Sequence, residues 1–206
     1  MKVLLINGSP HEKGCTYTAL SLIAGELKAQ GIETEILHVG GQPVGGCIGC
    51  GGCRSGNGCV FGGVVNEAIE KAKTADAFVF GSPVHYASAA GNMASFMDRL
   101  AYAGGKYLAY KPAAVCCSAR RAGTTSTLDQ LVKYPQFFHM PLVNSSYWAM
   151  VHGSNPEQVL QDAEGCAVMQ ELGRNMAWLL RCIEAGKAAG IDHPQNPPRP
   201  MTSFIR

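Results

Sequence analysis

The chain has 206 residues, which is enough for one domain with a sizeable core. Its formal net charge is +2, and only 16% of its residues are charged. It contains no basic run, so a nucleic-acid partner is not expected. No apolar stretch reaches the ~18 residues of a membrane span, and the apolar start Val3–Ile6 is too short for a signal peptide. We therefore expect a cytoplasmic protein without a membrane partner, whose nine cysteines are free thiols or metal ligands.

Apolar runs alternate with helical patterns along the chain, which predicts a parallel sheet with helices on both faces. The predicted strands are Val3–Asn7, Thr34–Val39, Ala77–Gly81, Ala113–Cys117 and Leu142–Ser145. The predicted helices are Thr16–Gln30, Val64–Thr74, Gly91–Tyr102, Thr125–Lys133 and Pro156–Gly186. This α/β pattern favours a doubly wound, five-stranded parallel sheet of order 2-1-3-4-5, whose ligands bind beyond the C-terminal ends of the strands.

The segment after the first strand is rich in glycine and hydroxyl residues and leads into a helix. Its candidate ligand-binding residues are Ser9, Pro10, His11, Cys15, Thr16, Tyr17 and Thr18. Backbone N–H groups at a helix N-terminus bind anions, and hydroxyl groups can add neutral donors. The segment lacks both the phosphate-loop pattern of NTPases and the G-x-G-x-x-G pattern of dinucleotide sites. It suits the single phosphate of FMN, as in flavodoxin-like sheets; the alternative is a plain strand-to-helix turn.

Four cysteines follow the second strand with the spacing Cys-x2-Cys-x2-Cys-x5-Cys: Cys47, Cys50, Cys53 and Cys59. The ferredoxin pattern has a shorter last gap and a proline where this chain has Val60, so these four can serve a single [4Fe–4S] cluster. A redox-active Cys-x-x-Cys pair and a loop of metal-free cysteines at a subunit contact remain alternatives. Zinc is disfavoured because its cysteine pairs are usually separated by a longer spacer.

Two further loops follow the third and fourth predicted strands. The first contains Pro83, Val84, His85 and Tyr86, and the second contains Ser118, Ala119, Arg120, Arg121, Gly123 and Thr124. Backbone groups of the first loop can meet the polar edge of an isoalloxazine ring, with His85 and Tyr86 beside it; the alternative for His85 is an ordinary loop histidine. One arginine of the second loop can stabilise a reduced, anionic flavin or bind the phosphates of NAD(P)H, while the other faces solvent.

The last helix is predicted to begin after the capping residue Asn155, with Pro156 in its first position. The helix is long, so Gly165 and Gly173 are expected to bend it, or it packs on a second subunit. Residues 1–190 are predicted to form one domain. The proline-rich segment 191–206 is predicted to be an extended tail that is disordered or straps across a partner through Phe204 and Ile205.

Together, these loops resemble the NADPH-dependent FMN reductase family of flavodoxin-like proteins. The motifs that carry the resemblance are Gly8-Ser9-Pro10 with Gly14-Cys15-Thr16, Ser82-Pro83-Val84-His85-Tyr86 with Phe96-Met97-Asp98-Arg99, and Ala119-Arg120-Arg121-Ala122-Gly123-Thr124-Thr125. With the cysteine motif added, the chain is similar to the iron–sulfur flavoprotein branch. Cys15 stands where relatives often carry asparagine, His85 where tyrosine is frequent, and Gly62-Gly63 where acidic residues are common.

The resemblance implies FMN, reduction by NAD(P)H or a ferredoxin-like donor, and a homodimer or homotetramer. It places the phosphate around residues 9–18 and the isoalloxazine ring at the other two loops. The function hypothesis is an FMN-dependent oxidoreductase that reduces a small-molecule acceptor such as a quinone, a free flavin, or a nitro or azo compound. The alternatives are an electron-transfer protein without turnover of its own and a flavin-binding regulator.

Overall fold

The structure, a computed structural model, describes residues 1–198, 200–202 and 204. Its strands in this part of the chain are β1 (Lys2–Asn7), β2 (Glu33–His38), β3 (Ala77–His85), β4 (Ser88–Ala89), β5 (Ala113–Ala119) and β6 (Met150–His152). The helices are α1 (Cys15–Ala29), α2 (Val64–Thr74), α3 (Gly91–Gly104), α4 (Thr124–Phe137), α5 (Pro156–Val159) and α6 (Ala163–Ala188). Short 3₁₀ turns cover Gly52–Ser55 and Gly105–Tyr107.

Five of the strands run parallel in the order β2-β1-β3-β5-β6, while β4 pairs antiparallel with the end of β3. Counted along the chain without the hairpin strand β4, this is the predicted order 2-1-3-4-5. Helices cover both faces of the sheet, which confirms the doubly wound α/β fold. The register places Asn7 beside Gly81 and Pro83 beside Ser118, so the ends of β1, β3 and β5 are neighbours.

The predicted position of the fifth strand is wrong. Leu142 forms only an isolated bridge with Ala113, whereas Met150–His152 pairs with Cys117–Ala119 and forms β6. Two short apolar segments therefore add to opposite ends of β5, and the chain between them leaves the sheet. An alternation of a few apolar residues cannot distinguish the two segments, because each one buries a single valine (Val143 or Val151).

The core has two layers because side chains alternate along each strand. Val3 and Leu5 of β1 point to the layer covered by α1 and α6, whereas Leu4 and Ile6 point to the layer covered by α2 and α3. α4 contributes Leu131 to the second layer. This double coverage explains the continuous apolar runs in β1 and β3, and it leaves the strand ends as the accessible polar region of the sheet.

The last predicted helix is divided into two. Asn155 caps α5 as expected, since its Oδ1 accepts a hydrogen bond from Gln158 N at 2.9 Å. α5 ends at Val159, and Asp162 then caps α6 by accepting from Gly165 N at 2.9 Å. The sequence analysis missed this second capping residue, and the predicted single helix 156–186 is therefore wrong.

Gly173 lies where α6 packs on α1. A Cβ atom at this position would lie 2.7 Å from the carbonyl oxygen of Ile23 and 2.8 Å from Cβ of Glu26. We expect Gly173→Ala to lower the free energy of unfolding by about 1–3 kcal/mol, because the two helices would have to move apart. The measurement is urea unfolding followed by circular dichroism.

The matched control is Gly25→Ala in α1, where no heavy atom lies within 4 Å of the new Cβ. This variant is expected to gain about 0.5–1 kcal/mol, because alanine has the higher helix propensity. Equal effects of the two substitutions would contradict the close packing of α1 on α6.

A small charge network joins β1, β2 and α2 on the surface. Glu35 accepts from Lys2 Nζ at 2.8 Å and from Lys71 Nζ at 2.6 Å, and both lysines hold the pKa of Glu35 below its usual range. A carboxylate with a lowered pKa stabilises the folded state at neutral pH, and this contribution is lost as the pH falls. In thermal melts between about pH 7 and pH 3, we expect the melting temperature of Glu35→Gln to fall less than that of the wild type. An identical loss in both proteins would contradict this role of Glu35.

Residues of the C-terminal tail that the structure describes form no helix or strand, and they are exposed. His193 stacks on Tyr110 with ring centroids 4.4 Å apart, and Asn196 Nδ2 donates to Tyr110 Oη at 2.6 Å. Phe204 is almost fully exposed, while Ile205 lies outside the described residues. The boundary at residue 190 and the strap across a partner stay predictions.

Candidate functional site

The segment between β1 and α1 is fixed from both sides. Ser9 N donates to Asn7 Oδ1 at 3.1 Å, and the Ser9 hydroxyl accepts from His11 N at 3.1 Å. The ring Nε2 of His38, in β2, contacts Ser9 O at 2.7 Å, and a Cβ on Gly40 would collide with that same carbonyl. Ser9 is buried, while Pro10 and His11 are exposed.

α1 begins at Cys15 without a side-chain cap and without an acidic residue in its first turn. Its N-terminus therefore carries N–H groups and a positive partial charge that suit an anion. The hydroxyl of Thr18 donates to Gly14 O at 3.2 Å, and the half-buried Tyr17 lies between it and Thr16. Cys15 Sγ donates to Gly153 O at 3.5 Å, and burial raises the pKa of this thiol, so it is protonated at neutral pH.

The region after β3 is a hairpin, not the loop predicted after Gly81. β3 continues to His85, so Pro83 and Val84 are strand residues, and β4 begins at Ser88. The two turn residues are Tyr86 (φ 50°) and Ala87 (φ 59°), which both lie in the left-handed region. This geometry fits a type I′ hairpin turn but is unfavourable for residues other than glycine and asparagine. Strained residues of this kind cluster at functional sites.

The hairpin is held against α4. Gln130 Oε1 accepts from Ser88 Oγ at 2.7 Å and from Ala89 N at 2.9 Å. Ser126 Oγ donates to Ala87 O at 2.7 Å. The side chains of His85 and Tyr86 are exposed at the tip, where they are accessible to a ligand or a second molecule.

The loop between β5 and α4 contacts both of the others. The hydroxyls of Thr16 and Ser118 share a hydrogen bond of 2.8 Å, and both residues are buried. Gly123 has φ 93°, and an added Cβ would lie 2.7 Å from Cα of Ala87. Ala119 and Thr124 are buried beside it. The structure thus brings the three predicted loops together at the C-terminal ends of adjacent strands; their roles in FMN binding stay predictions.

Arg120 and Arg121 are exposed at this edge, and neither forms an ion pair with a carboxylate of the described chain. α4, which follows them, also begins without a side-chain cap. The surface therefore carries two uncompensated positive charges next to a helix N-terminus. Negative charge on a bound cofactor or a nicotinamide dinucleotide would be stabilised here.

The four cysteines of the spaced motif line one cavity of about 310 Å³ together with Arg54, Arg99 and apolar residues. We name residues 44–62 the cysteine lobe. Five glycines of this lobe adopt φ between 57° and 84°, which lets the backbone wind around the cavity: Gly49, Gly51, Gly56, Gly58 and Gly62. Within the described residues, no three His, Cys, Asp or Glu side chains are arranged as a metal site, so the cluster stays a prediction.

One cysteine of the lobe is held more firmly than the others. Asn66, on α2, accepts from Cys59 N at 2.8 Å and donates to Cys59 O at 3.1 Å. Arg99 Nε donates to Cys59 Sγ at 3.2 Å. Cys47 and Cys50 are exposed, and Cys53 lies half-buried in a 3₁₀ turn. Cys59 is thus the most firmly held of the four motif cysteines.

The other cysteines lie apart from the lobe. Burial raises the pKa of the Cys117 thiol to about 12, and it raises that of Cys116 further. Cys166 donates to Val159 O at 3.2 Å, and burial also raises the pKa of its thiol. These protonated thiols are inert packing groups.

The family model for NADPH-dependent FMN reductase matches residues 1–155, which is most of the chain and includes all three loops and the cysteine lobe. The chain belongs to the NADPH-dependent FMN reductase family. The resemblance predicted from the loop motifs is therefore confirmed, and the flavodoxin-like fold agrees with it.

Within this family, the chain is 27% identical over 192 residues to an iron–sulfur flavoprotein of Methanocaldococcus jannaschii, covering 89% of this chain and all of the relative. Among solved structures, RosB with bound 8-demethyl-8-formylriboflavin 5′-phosphate superposes with a TM-score of 0.71 at 15% identity, covering 100% of this chain and 94% of RosB. A flavodoxin from the domain Archaea gives a TM-score of 0.60 at 14% identity, with 88% and 99% of the two chains covered. Both superpositions show the fold alone.

Several residues that build the three loops and the cysteine lobe were not among the predicted site residues. Asn7, His38 and Gln130 support the loops, and Asn66 and Arg99 support the cysteine lobe. Buried polar residues within an apolar strand are the signal that could have identified Asn7. No such signal marks His38 or Asn66, whose partners are distant in sequence or follow an irregular turn.

Among the described residues, no helix is long and apolar enough to cross a membrane.

Proposed function

We propose that this flavin-dependent oxidoreductase binds FMN, takes electrons from NAD(P)H and passes them to a small-molecule acceptor such as a quinone, a free flavin, or a nitro or azo compound. The observation that carries the proposal is the convergence of three loops and two uncapped helix N-termini at the ends of β1, β3 and β5. RosB, which shares this fold, has been solved with bound 8-demethyl-8-formylriboflavin 5′-phosphate.

The chain's own residues would bind and orient the cofactor. FMN, when bound, supplies hydride acceptance and delivery at its flavin ring. The N–H groups at the start of α1 and the Ser9 hydroxyl would hold the phosphate, since both are fixed before binding. The strained hairpin at Tyr86 would flank the ring. Arg120 or Arg121 would stabilise negative charge on the reduced ring or bind the phosphates of NAD(P)H.

A second candidate function is electron transfer between a ferredoxin-like donor and an acceptor. A specific observation favours it: the four motif cysteines line one cavity, and a buried guanidinium lies against one of their sulfurs. Four thiolates are the ligand set of a [4Fe–4S] cluster, so the four cysteines match this group in type and number, while in this structure no three of them are arranged as a metal site. A cluster held there would supply one-electron transfer beside the two-electron chemistry of a flavin.

We also propose that the protein is cytoplasmic and forms a homodimer or homotetramer. All nine cysteines are free, which suits the reducing cytoplasm. A homodimer or homotetramer would cover the exposed aromatic residues near the site, among them Tyr86 and Tyr102.

The test is an anaerobic purification followed by an absorption spectrum and assays of iron and sulfide on the same sample. A flavin spectrum, together with steady-state oxidation of NADH or NADPH in the presence of a quinone, would support the reductase. Flavin together with about four irons per chain, and reduction only by a reduced ferredoxin, would support the electron-transfer function instead. A chain that binds no flavin would refute both.

A further inference from the structure

Arg99 is a buried cation without a counter-charge. It lies on α3, its exposed fraction is 6%, and no carboxylate of the described chain forms an ion pair with it. Its neighbour Asp98 instead accepts from Tyr134 Oη at 2.6 Å. Buried charges in proteins are normally paired, because leaving water is costly for an ion. The environment of Arg99 therefore indicates an anionic partner that the polypeptide does not supply as a carboxylate.

The guanidinium group is aimed into the cysteine lobe. Nη1 donates to Gly45 O at 3.4 Å and Nη2 donates to Gly62 O at 3.0 Å, so Arg99 ties the two ends of the lobe to α3. Nε donates to Cys59 Sγ, and the ring of Phe61 lies 5.3 Å from Cζ. The donors of one side chain are thus divided between the backbone of the lobe and a sulfur that faces the cavity.

We infer that Arg99 is the positioning and charge-compensating residue of the cysteine site. It fixes Cys59 before the other three cysteines close around the cavity, and it supplies positive charge to the anionic thiolate set. This inference rests on the proposed cluster. Hydrogen bonds to the sulfurs and the surrounding charge set the reduction potential of an iron–sulfur cluster, so Arg99 would raise that potential by stabilising the state with one more electron.

The test compares Arg99→Met and Arg99→Lys with Arg54→Met in the full-length protein. Arg54 lines the same cavity, is exposed and makes no hydrogen bond to a sulfur, so its replacement controls for loss of charge alone. The first measurement is hydrogen exchange of residues 44–62 in the metal-free protein. We expect roughly tenfold faster exchange in Arg99→Met and no change in Arg54→Met.

The second measurement is the midpoint potential of the reconstituted cluster, followed by electron paramagnetic resonance during a redox titration. We expect a more negative potential in Arg99→Met, an intermediate value in Arg99→Lys, which keeps the charge but loses the forked donor geometry, and a smaller shift in Arg54→Met. Arg99→Met behaving like Arg54→Met in both measurements would overturn the inference.

The two proposals fail in distinguishable ways. A wild-type protein that takes up no iron and sulfide would refute the cluster and, with it, the charge-compensating role of Arg99. Hydrogen exchange in the metal-free protein would still decide whether Arg99 positions the lobe. Circular dichroism melts of each variant verify that an effect within residues 44–62 is local and does not come from unfolding of α3.

Discussion

Replacing Cys15 with aspartate is expected to weaken FMN binding by at least ~30-fold. The substitution places a negative charge at the first residue of α1, where the flavin phosphate is proposed to bind. Two like charges as far apart as about 8 Å still repel by about 2 kcal/mol at an effective dielectric constant near 20, which corresponds to this factor. The measurement is the Kd for FMN from quenching of flavin fluorescence near pH 8, where an aspartate is ionised.

The matched control is Cys15→Asn, which has the shape of aspartate but no charge. We expect its Kd to stay within roughly twofold of the wild-type value. Aspartate in the first turn is favourable for the helix, which offsets the loss of the thiol's hydrogen bond to Gly153 O, so the apo form of Cys15→Asp should keep its melting temperature. Equal affinities of the Asp and Asn variants would show that the phosphate does not bind at α1.

The sequence was sufficient to predict which strands lie at the centre of the sheet. Each buried strand combines an apolar run with a following turn. The bounds of α2 were predicted without error, because Gly63 precedes the helical pattern and the apolar run of β3 begins soon after it. The errors arose where tertiary contacts decide the outcome. β6 exists because Met150–His152 pairs with the end of β5, and the hairpin exists because Gln130 and Ser126 hold a turn that its own residues disfavour.

The candidate site shows the same division between local and long-range information. Hydroxyls, glycines and cysteine spacing are local patterns, so they could be identified along the chain. The partners that orient them could not, because they are contributed by other elements. Ser118 meets Thr16 across 102 residues, and Arg99 meets Cys59 across 40. A pattern thus identifies the groups that can carry chemistry, whereas the fold determines which of them are fixed before a ligand binds.

This distinction matters most for the cysteine lobe. If Cys59 is a ligand that is fixed before the metal binds, its removal should abolish iron binding and not merely reduce the iron content by a quarter. We expect Cys59→Ala to reduce iron from about four per chain to nearly zero while FMN content is unchanged. Cys59 is the cysteine that Asn66 and Arg99 hold, and its contacts lie outside the three loops that are proposed to bind FMN. The measurement is iron, sulfide and flavin content after anaerobic reconstitution.

The control for loss of a thiol is Cys182→Ser, because Cys182 is exposed on α6 and does not line the cavity of the lobe. It should retain full iron content. If Cys59→Ala also retained its iron, the metal would be held by other ligands and the fixed-ligand argument would be wrong. If Cys59→Ala lost FMN along with iron while Cys182→Ser retained both, the two cofactors would depend on a shared folding unit. The cysteine lobe would then be coupled to the flavin site, since Gly40, shortly before the lobe in the chain, already packs on Ser9.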